Sequence, residues 1–377
     1  MMNVTLIHRF IPHYRTAAFR RLHVDHGWRI ASCASTGRSL GIRLGEGLDW
    51  VEPKKMVLFS AGKVALAPLY SLLKREPVDL VVSEFSLNIS WCYEMALRAW
   101  LRRWLRGPKY AFYTHGFTPN EVAIRGVKYR LKRWMFELVD GVVCYTPESA
   151  ERLRNNCTQR NVYSVRNTID VGHVMASYQK SERVFPQRGV IRAVISNRLV
   201  RNKNIDIAIE AIKVCADALE GVRVSLLVIG EGELRGELQE LSETLGAEVD
   251  FAGEVYDVVA LAAYFRNCDV AIIPGSAGLF VNQAFAFGLP VIMFENAGDH
   301  HHHPEEAYVL DNETGVRINQ KPNALALGQL LAELAVDVKR LEKLQDGATE
   351  YAARFLTLDR WVESMQRACT QIYASSS

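Results

Sequence analysis

Residues 271–292 read AIIPGSAGLFVNQAFAFGLPVI, and the order of residue types in this stretch sets the architecture. An apolar run, Val270 to Ile273, stops at Pro274-Gly275. A loop of small residues, Gly275 to Gly278, then feeds a segment with helical spacing from Leu279 to Phe287. Gly288-Leu289-Pro290 ends it, and Val291 to Phe294 reads as the next buried strand. A strand, a glycine loop and a helix in that order set unpaired backbone N–H groups at the mouth of a sheet, where the helix dipole also favours a phosphate. Taken alone, an ordinary strand–helix–strand unit with a glycine turn explains the stretch equally well.

Outward from it, strand-like runs alternate with helical patterns along the whole chain. The first half has short β-rich runs at Val4–Ile7, Arg29–Ser32, Leu80–Val82, Tyr110–Tyr113 and Gly141–Cys144. Helical spacing falls between them at Thr16–His26, Ala61–Arg75, Cys92–Arg106, Val127–Leu138 and Pro147–Asn155. Ser177 to Arg188 is polar with a proline and reads as a linker. A second alternating series then runs from Arg192 through Val316. Two such series predict an α/β protein of two doubly wound Rossmann-like domains facing across a cleft, with ligands beyond the carboxyl ends of the strands. The expected divisions are 1–175, 189–355 and a terminal helix over 356–377 that returns to the first domain. That helix shows apolar residues on one face at Leu358, Trp361, Val362, Met365, Ala368 and Ile372.

Composition bounds the rest. The 377 residues are long for one core, 49% of them are hydrophobic, and the net charge of +3 gives no argument for nucleic acid. Seven scattered cysteines contain no CxxC pair or zinc-finger spacing and read as reduced thiols of a cytoplasmic protein. The opening MMNVTLIHRFIPHYR lacks the pattern of a signal peptide, and no apolar run reaches the ~18 residues of a membrane span. Membrane contact is therefore expected only at the periphery.

Four features of the second half fall in a fixed order: SNRLVRNKNID (Ser196–Asp206), LLVIGEGEL (Leu226–Leu234), FAGEV (Phe251–Val255), and the glycine loop with its helix. HHPEEAYVLDNETGVRI follows them. This order resembles the family-4 retaining glycosyltransferases, which share the GT-B fold and use nucleotide-diphosphate sugars. The likeness covers the second domain almost completely. It reaches the first through YTHGF (Tyr113–Phe117), DGVVCYTPESAERL (Asp140–Leu153) and VRNTID (Val165–Asp170).

The resemblance implies that Arg198 and Lys203 bind the donor diphosphate, and two fixed cations there would stabilise the charge of a leaving nucleotide. It gives His115 a functional role at a strand end. It places the donor against Gly230, Gly253, Glu254, Val255, Ser276, Gly278, Leu279, Phe280, Asn282, Gln283 and Glu305, and the acceptor side near Tyr14 and Arg15. Many members carry two glutamates around the glycine-loop helix with seven residues between them; here Gly275 and Gln283 stand at those positions. Gln283 can still hydrogen-bond a ribose, whereas Gly275 cannot supply a carboxylate. The tetrad His300–His303 reads as a cleft-lining loop rather than a metal site, because four adjacent histidines share no face. No metal or other cofactor is expected.

In the first domain, Trp91 to Lys109 sets Arg98, Arg102, Arg103, Arg106 and Lys109 beside Trp91, Trp100 and Trp104, and Arg125–Arg133 with Trp134 forms a second basic stretch. Such helices suit an anionic membrane surface, and equally suit tryptophans in a core with solvated arginines. The expected partners are a nucleotide-diphosphate-sugar donor (a UDP or GDP sugar, for example), a glycan or lipid-linked acceptor of polysaccharide or lipopolysaccharide synthesis, and an anionic membrane surface. Two further readings stay open: a nucleotide-sugar epimerase on the same fold, and a non-catalytic nucleotide-sugar binder that partners another transferase.

Overall fold

Val4–His8 are five consecutive buried residues, which marks strand β1 as covered on both faces. The computed structural model describes residues 2–32, 44–53, 57–59, 64–69, 77–102, 104–177, 186–295 and 302–375. From β1 the chain passes through α1 (His13–His26) to β2 (Arg29–Ser32) and β3 (Glu52–Pro53). An antiparallel pair, β4 (Val57–Phe59) and β5 (Val64–Leu66), precedes β6 (Leu80–Glu84), α2 (Ser90–Leu101) and β7 (Lys109–Thr114). Then come α3 (Pro119–Ile124), α4 (Val127–Leu138), β8 (Gly141–Cys144), α5 (Pro147–Arg154) and β9 (Val162–Ser164). Seven strands pair in parallel in the order β3-β2-β1-β6-β7-β8-β9. Side chains alternate between the faces: Leu6, Ile30, Val82 and Tyr113 meet Phe19 and Leu22 of α1, while Ile7, Ala31, Val81 and Phe112 meet Met95 and Phe136.

The helix expected over Ala61–Arg75 is corrected in part. Val64–Leu66 takes its backbone partners from Val57–Phe59 as a strand, and Pro68 cannot sit inside a regular helix. Ala67 N and Leu69 N donate instead to Ser90 Oγ and Glu94 Oε2. Residues 61–63 and 70–75 of that expected helix lie outside the described residues.

The second series runs α6 (Val171–Ser177), β10 (Val190–Ser196), a 3-10 turn (Arg201–Lys203), α7 (Ile205–Ala218), β11 (Arg223–Ile229), α8 (Arg235–Leu245) and β12 (Val249–Gly253). It continues with α9 (Val258–Phe265), β13 (Val270–Ile273), α10 (Phe280–Ala286), β14 (Val291–Phe294), a 3-10 turn (Pro304–Tyr308), β15 (Gly315–Ile318), α11 (Ala324–Val336) and α12 (Val338–Phe355). Six strands pair in parallel in the order β12-β11-β10-β13-β14-β15. Side-chain caps fix several helix starts: Asp257 Oδ1 accepts from Ala260 N, Asn323 Oδ1 from Ala326 N and Asp337 Oδ1 from Arg340 N.

The last helix, α13 (Leu358–Ala374), rejoins the first series. The chain thus divides into unit 1, Met1–Ile169 with Leu358–Ser377, and unit 2, Asp170–Thr357. The first division falls at Ile169/Asp170, ahead of the expected linker, because α6 packs on α9, α10 and α12 of unit 2. Of that linker, residues 178–185 lie outside the described residues. In each sheet the chain works outward on one side and then crosses to the other, so strand order reverses between β1 and β6 and between β10 and β13. The carboxyl ends of those strands are the places where such sheets receive ligands.

Candidate functional site

Past Ser196, the end of β10, the chain shares backbone hydrogen bonds with the loop after β11. Asn197 N donates to Ile229 O at 3.0 Å, Leu199 N to Glu231 O at 2.9 Å, and Leu234 N back to Leu199 O at 3.2 Å. Gly230 makes this approach feasible, since it sits at φ +139° and a Cβ there would lie 1.9 Å from Asn197 O. Gly230 N also donates to Gly253 O at 2.8 Å, tying in the end of β12. Glu254 follows exposed and Val255 half-buried.

On the other side of β10, across the reversal of strand order, stands the glycine loop after β13. The 3-10 turn Arg201–Lys203 aims Lys203 at it, and Lys203 Nζ donates to both Ser276 O and Ser276 Oγ at 3.0 Å. A Cβ on Gly275 would lie 2.4 Å from Asn202 O and 2.8 Å from Lys203 Cα. Glycine at 275 is therefore required by the backbone of the turn that carries Lys203, and a glutamate there would push that turn away. Arg198 is exposed, and its side chain makes no hydrogen bond or ion pair among the described residues. Burial, and then the Arg198 charge, hold the Lys203 ammonium below the usual lysine range. An anion between these two cations would relieve their repulsion.

The glycine loop is clasped from behind. His302 Nδ1 accepts from Ala277 N at 3.0 Å, its Nε2–H donates to Phe294 O at 2.9 Å, and His303 N donates to Ala277 O at 3.0 Å. Both ring nitrogens are thereby engaged, and burial lowers the His302 pKa. The neutral ring is a strut for the loop, a role sequence reasoning missed because it depends on which backbone atoms the fold brings near. His300 and His301 of the tetrad lie outside the described residues.

Helix α10 begins at Phe280 and is shorter than the Leu279–Phe287 expected. Of the donor-side residues, Gly278, Leu279 and Gln283 stay half-buried. The Phe280 side chain turns inward and packs edge-on against Phe265 at 6.2 Å between ring centroids. Asn282 is fully buried and Glu305 keeps 2% exposure in the turn against α10, so both side chains belong to the interior. Unit 2 thus gathers Arg198, Lys203, Gly230, Gly253, Ser276 and Gly278 at the carboxyl edge of one sheet.

Unit 1 has its own polar edge. His115 follows β7 and is exposed, its ring edge-on to Tyr145 at 4.2 Å. Arg15 is buried in the first turn of α1, its Cζ 5.7–5.8 Å from the ring centroids of Tyr14, Tyr113, Tyr145 and Trp361. His8 and Glu84 stand at the ends of β1 and β6, on either side of the strand-order reversal. Sequence reasoning passed over both, although each is the polar residue that ends a buried run.

The basic, tryptophan-bearing stretches divide by role. Trp91 is core, with Nε1 donating to Ser83 Oγ, while Trp100 and Trp104 are exposed and touch edge-on. Arg98 pairs with Glu94 and Arg102 with Asp140. Lys109 is buried and donates to Ile372 O. Arg103 lies outside the described residues. No helix among the described residues is long and apolar enough to cross a membrane.

Two Rossmann-like parallel sheets, each followed at its carboxyl edge by such a site, are the plan of GT-B glycosyltransferases. Residues 180–351 match the model of the family described as "Glycosyl transferases group 1". Among characterised relatives, a GDP-mannose-dependent alpha-(1-6)-phosphatidylinositol dimannoside mannosyltransferase of Mycobacterium tuberculosis is 29% identical over 139 residues, 36% of this chain and 34% of that protein. The lipopolysaccharide core biosynthesis glycosyltransferase LpsE of Rhizobium meliloti is 26% identical over 216 residues, 55% of this chain and 58% of that protein. The chain therefore spans about a third of the length of the first relative and under two thirds of the second. Anabaena Alr3699/HepE, crystallised with UDP, has the same fold with a TM-score of 0.68 at 13% identity, over 98% of this chain and 100% of that one.

Proposed function

We propose that the protein transfers a sugar from a nucleotide-diphosphate donor to a glycan or lipid-linked acceptor, in the synthesis of a surface polysaccharide or lipopolysaccharide. The observation that carries this reading is the coupling of Lys203 to Ser276 across the strand-order reversal of unit 2, with Arg198 beside it. Preformed cations at that point would hold a diphosphate and stabilise its charge as the glycosidic bond breaks. Backbone contact at Gly275 fixes the lysine before the donor arrives, so little reorganisation accompanies the step. The matching family segment and the UDP complex of a protein with this fold support the same reading.

The finer proposal is retention at the anomeric carbon, by departure and attack on one face, with the leaving phosphate accepting the acceptor's proton. Fixed cations serve that course better than a protein nucleophile would. Gln283 and the backbone at Gly278 and Leu279 are the donor contacts assigned to this edge. His115, Tyr14 and Arg15 are assigned to the acceptor side. The protein is placed in the cytoplasm, resting on an anionic membrane surface through the exposed face of α2 and α4.

A screen of UDP-, GDP-, dTDP- and CMP-sugars by thermal shift tests the donor site. Ligand at about 100 times its Kd stabilises by about 2.7 kcal/mol, or about 5–10 °C for a unit of this size. The expected outcome is a shift with one nucleotide class, abolished by both Arg198→Ala and Lys203→Ala. Turnover of the responsive donor should fall about a hundredfold or more in either variant. A shift indifferent to both substitutions would remove the diphosphate assignment, and binding without transfer or hydrolysis would favour a non-catalytic binder.

A further inference from the structure

At the strand-order reversal of unit 1, two buried acceptors face each other. His8 ends β1 and Glu84 ends β6, each with 7% exposure. His8 Nδ1 lies 2.6 Å from Phe10 O, which only accepts, so this nitrogen carries the proton and donates. A second proton on the ring is opposed by burial above all, and by the Arg15 and Arg9 charges; the Glu84 charge and the Phe10 carbonyl favour it, and the balance lowers the pKa. His8 Nε2 therefore presents a lone pair, and what it faces is Glu84 Oε2 at 3.5 Å. That separation exceeds an ordinary N–H···O bond. Glu84 is held in place from its other oxygen, since Oε1 accepts from Arg9 N at 2.5 Å and from Arg9 Nε at 2.9 Å.

A carboxylate oxygen and an imidazole lone pair held 3.5 Å apart, each residue keeping 7% exposure, can each accept a hydrogen bond from the same ligand. One hydroxyl satisfies one of them; two hydroxyls on adjacent carbons satisfy both. We propose that the His8–Glu84 notch binds a vicinal diol of the acceptor, each hydroxyl donating to one of the two atoms, and that this pair selects a sugar ring as acceptor. The proposal rests on the sugar-transfer reading above and assigns the acceptor subsite to residues outside the donor edge. Arg9 orients Glu84 without touching the diol. A diol gives the carboxylate a charge-assisted bond, whereas a fully O-alkylated sugar gives neither atom a donor.

Glu84→Gln is the discriminating variant. Its amide oxygen can keep both Arg9 hydrogen bonds, while its NH2 points at His8 Nε2 and fills the notch from within. His8→Asn is the second: its amide N–H can keep the bond to Phe10 O, but nothing replaces Nε2. The probes are methyl α-D-glucopyranoside, methyl α-D-mannopyranoside, methyl α-D-galactopyranoside and myo-inositol, each against its permethylated form. Binding to the full chain is read by saturation-transfer NMR. At least one parent compound should bind the wild type and its permethylated form should not. Affinity should fall roughly tenfold or more in Glu84→Gln and measurably in His8→Asn.

The nucleotide thermal shift of the same samples reports on unit 2 and should be unchanged. Binding to none of the four compounds, equal binding to the permethylated forms, or full binding by Glu84→Gln each overturns the notch while leaving the donor site intact. A lost nucleotide response in the wild type would instead sink the sugar-transfer reading, whatever the notch does.

Discussion

Gly275 and Gly278 sit three residues apart in one loop, yet they carry different constraints. A Cβ at 275 would meet backbone of the Lys203 turn, while a Cβ at 278 would meet only His303 Cδ2 at 3.7 Å, an ordinary contact. Gly275→Ala should therefore displace Lys203 and weaken nucleotide binding about tenfold or more, and Gly278→Ala should leave the fold's stability nearly unchanged. Calorimetric titration and thermal melts of both variants check this; equal behaviour would mean that the close approach at 275 does not hold the lysine. The histidines add a pH dependence. Burial lowers the pKa of both His8 and His302 from the ordinary 6.5, so the unfolded chain binds their protons more readily than the folded one. Stability should be full above that value and decline as pH falls from 6.5 towards the depressed folded pKa values, levelling below them. Urea midpoints between pH 7.5 and 5 should show this slope, reduced in His302→Gln. Arg198 and Lys203 were singled out through the order of the motifs around them, since a basic turn after a buried strand reads by itself as solvated surface charge. His302, His8 and Glu84 were not, because each acquires its role from an atom at least eight residues away or on another strand.

Among the elements, α13 shows how much an amphipathic pattern discloses and where it stops. Its buried face, Leu358, Trp361, Val362, Met365, Ala368, Cys369 and Ile372, follows helical spacing and could be read directly. Its destination rests on features elsewhere in the chain. A Cβ at Gly141 would lie 2.5 Å from Ile372, and Lys109 Nζ donates to Ile372 O, so two residues more than 200 positions earlier prepare the dock. Trp361 keeps 1% exposure and packs near Phe19, Tyr113 and Arg15. Trp361→Ala should cost unit 1 about 3–5 kcal/mol, read as a lower urea midpoint, while the nucleotide response of unit 2 persists. Loss of that response as well would show the two units unfolding as one. Strand runs such as Val270–Ile273 and Gly141–Cys144 matched their sequence reading residue for residue, since each is a buried β-rich run bounded by turn residues. The stretch around Val64–Leu66 did not, because three apolar residues carry no period of their own and their pairing with β4 decides their state.

Across the whole molecule, the small net charge conceals an uneven distribution. Unit 1 carries 28 Lys and Arg against 15 Asp and Glu, and unit 2 carries 17 against 27, so the chain's +3 is the sum of +13 and −10. The two alternating series made the two units readable in the sequence, but this division of charge needed their true boundaries, with α13 counted in unit 1. The basic unit also exposes aromatic and aliphatic residues on two packed neighbouring helices: Leu97 and Trp100 on α2, Trp104 and Leu105 just beyond it, Val127 and Trp134 on α4. Cations around exposed indoles fit an anionic interface, where charge brings the protein to the surface and the rings enter it. The full chain should therefore sediment with vesicles of phosphatidylcholine and phosphatidylglycerol and remain free with phosphatidylcholine alone. Raising ionic strength from about 0.1 M to 1 M shortens the screening length from about 10 Å to 3 Å and should release it. Trp100→Ser with Trp104→Ser should weaken the low-salt binding without changing the nucleotide response, because both rings are exposed and far in sequence from unit 2. Equal binding to neutral vesicles would make the basic charge irrelevant. Salt-sensitive binding that survives loss of both indoles would leave attraction without insertion, and the +13 of unit 1 would then serve an anionic acceptor in solution rather than a bilayer.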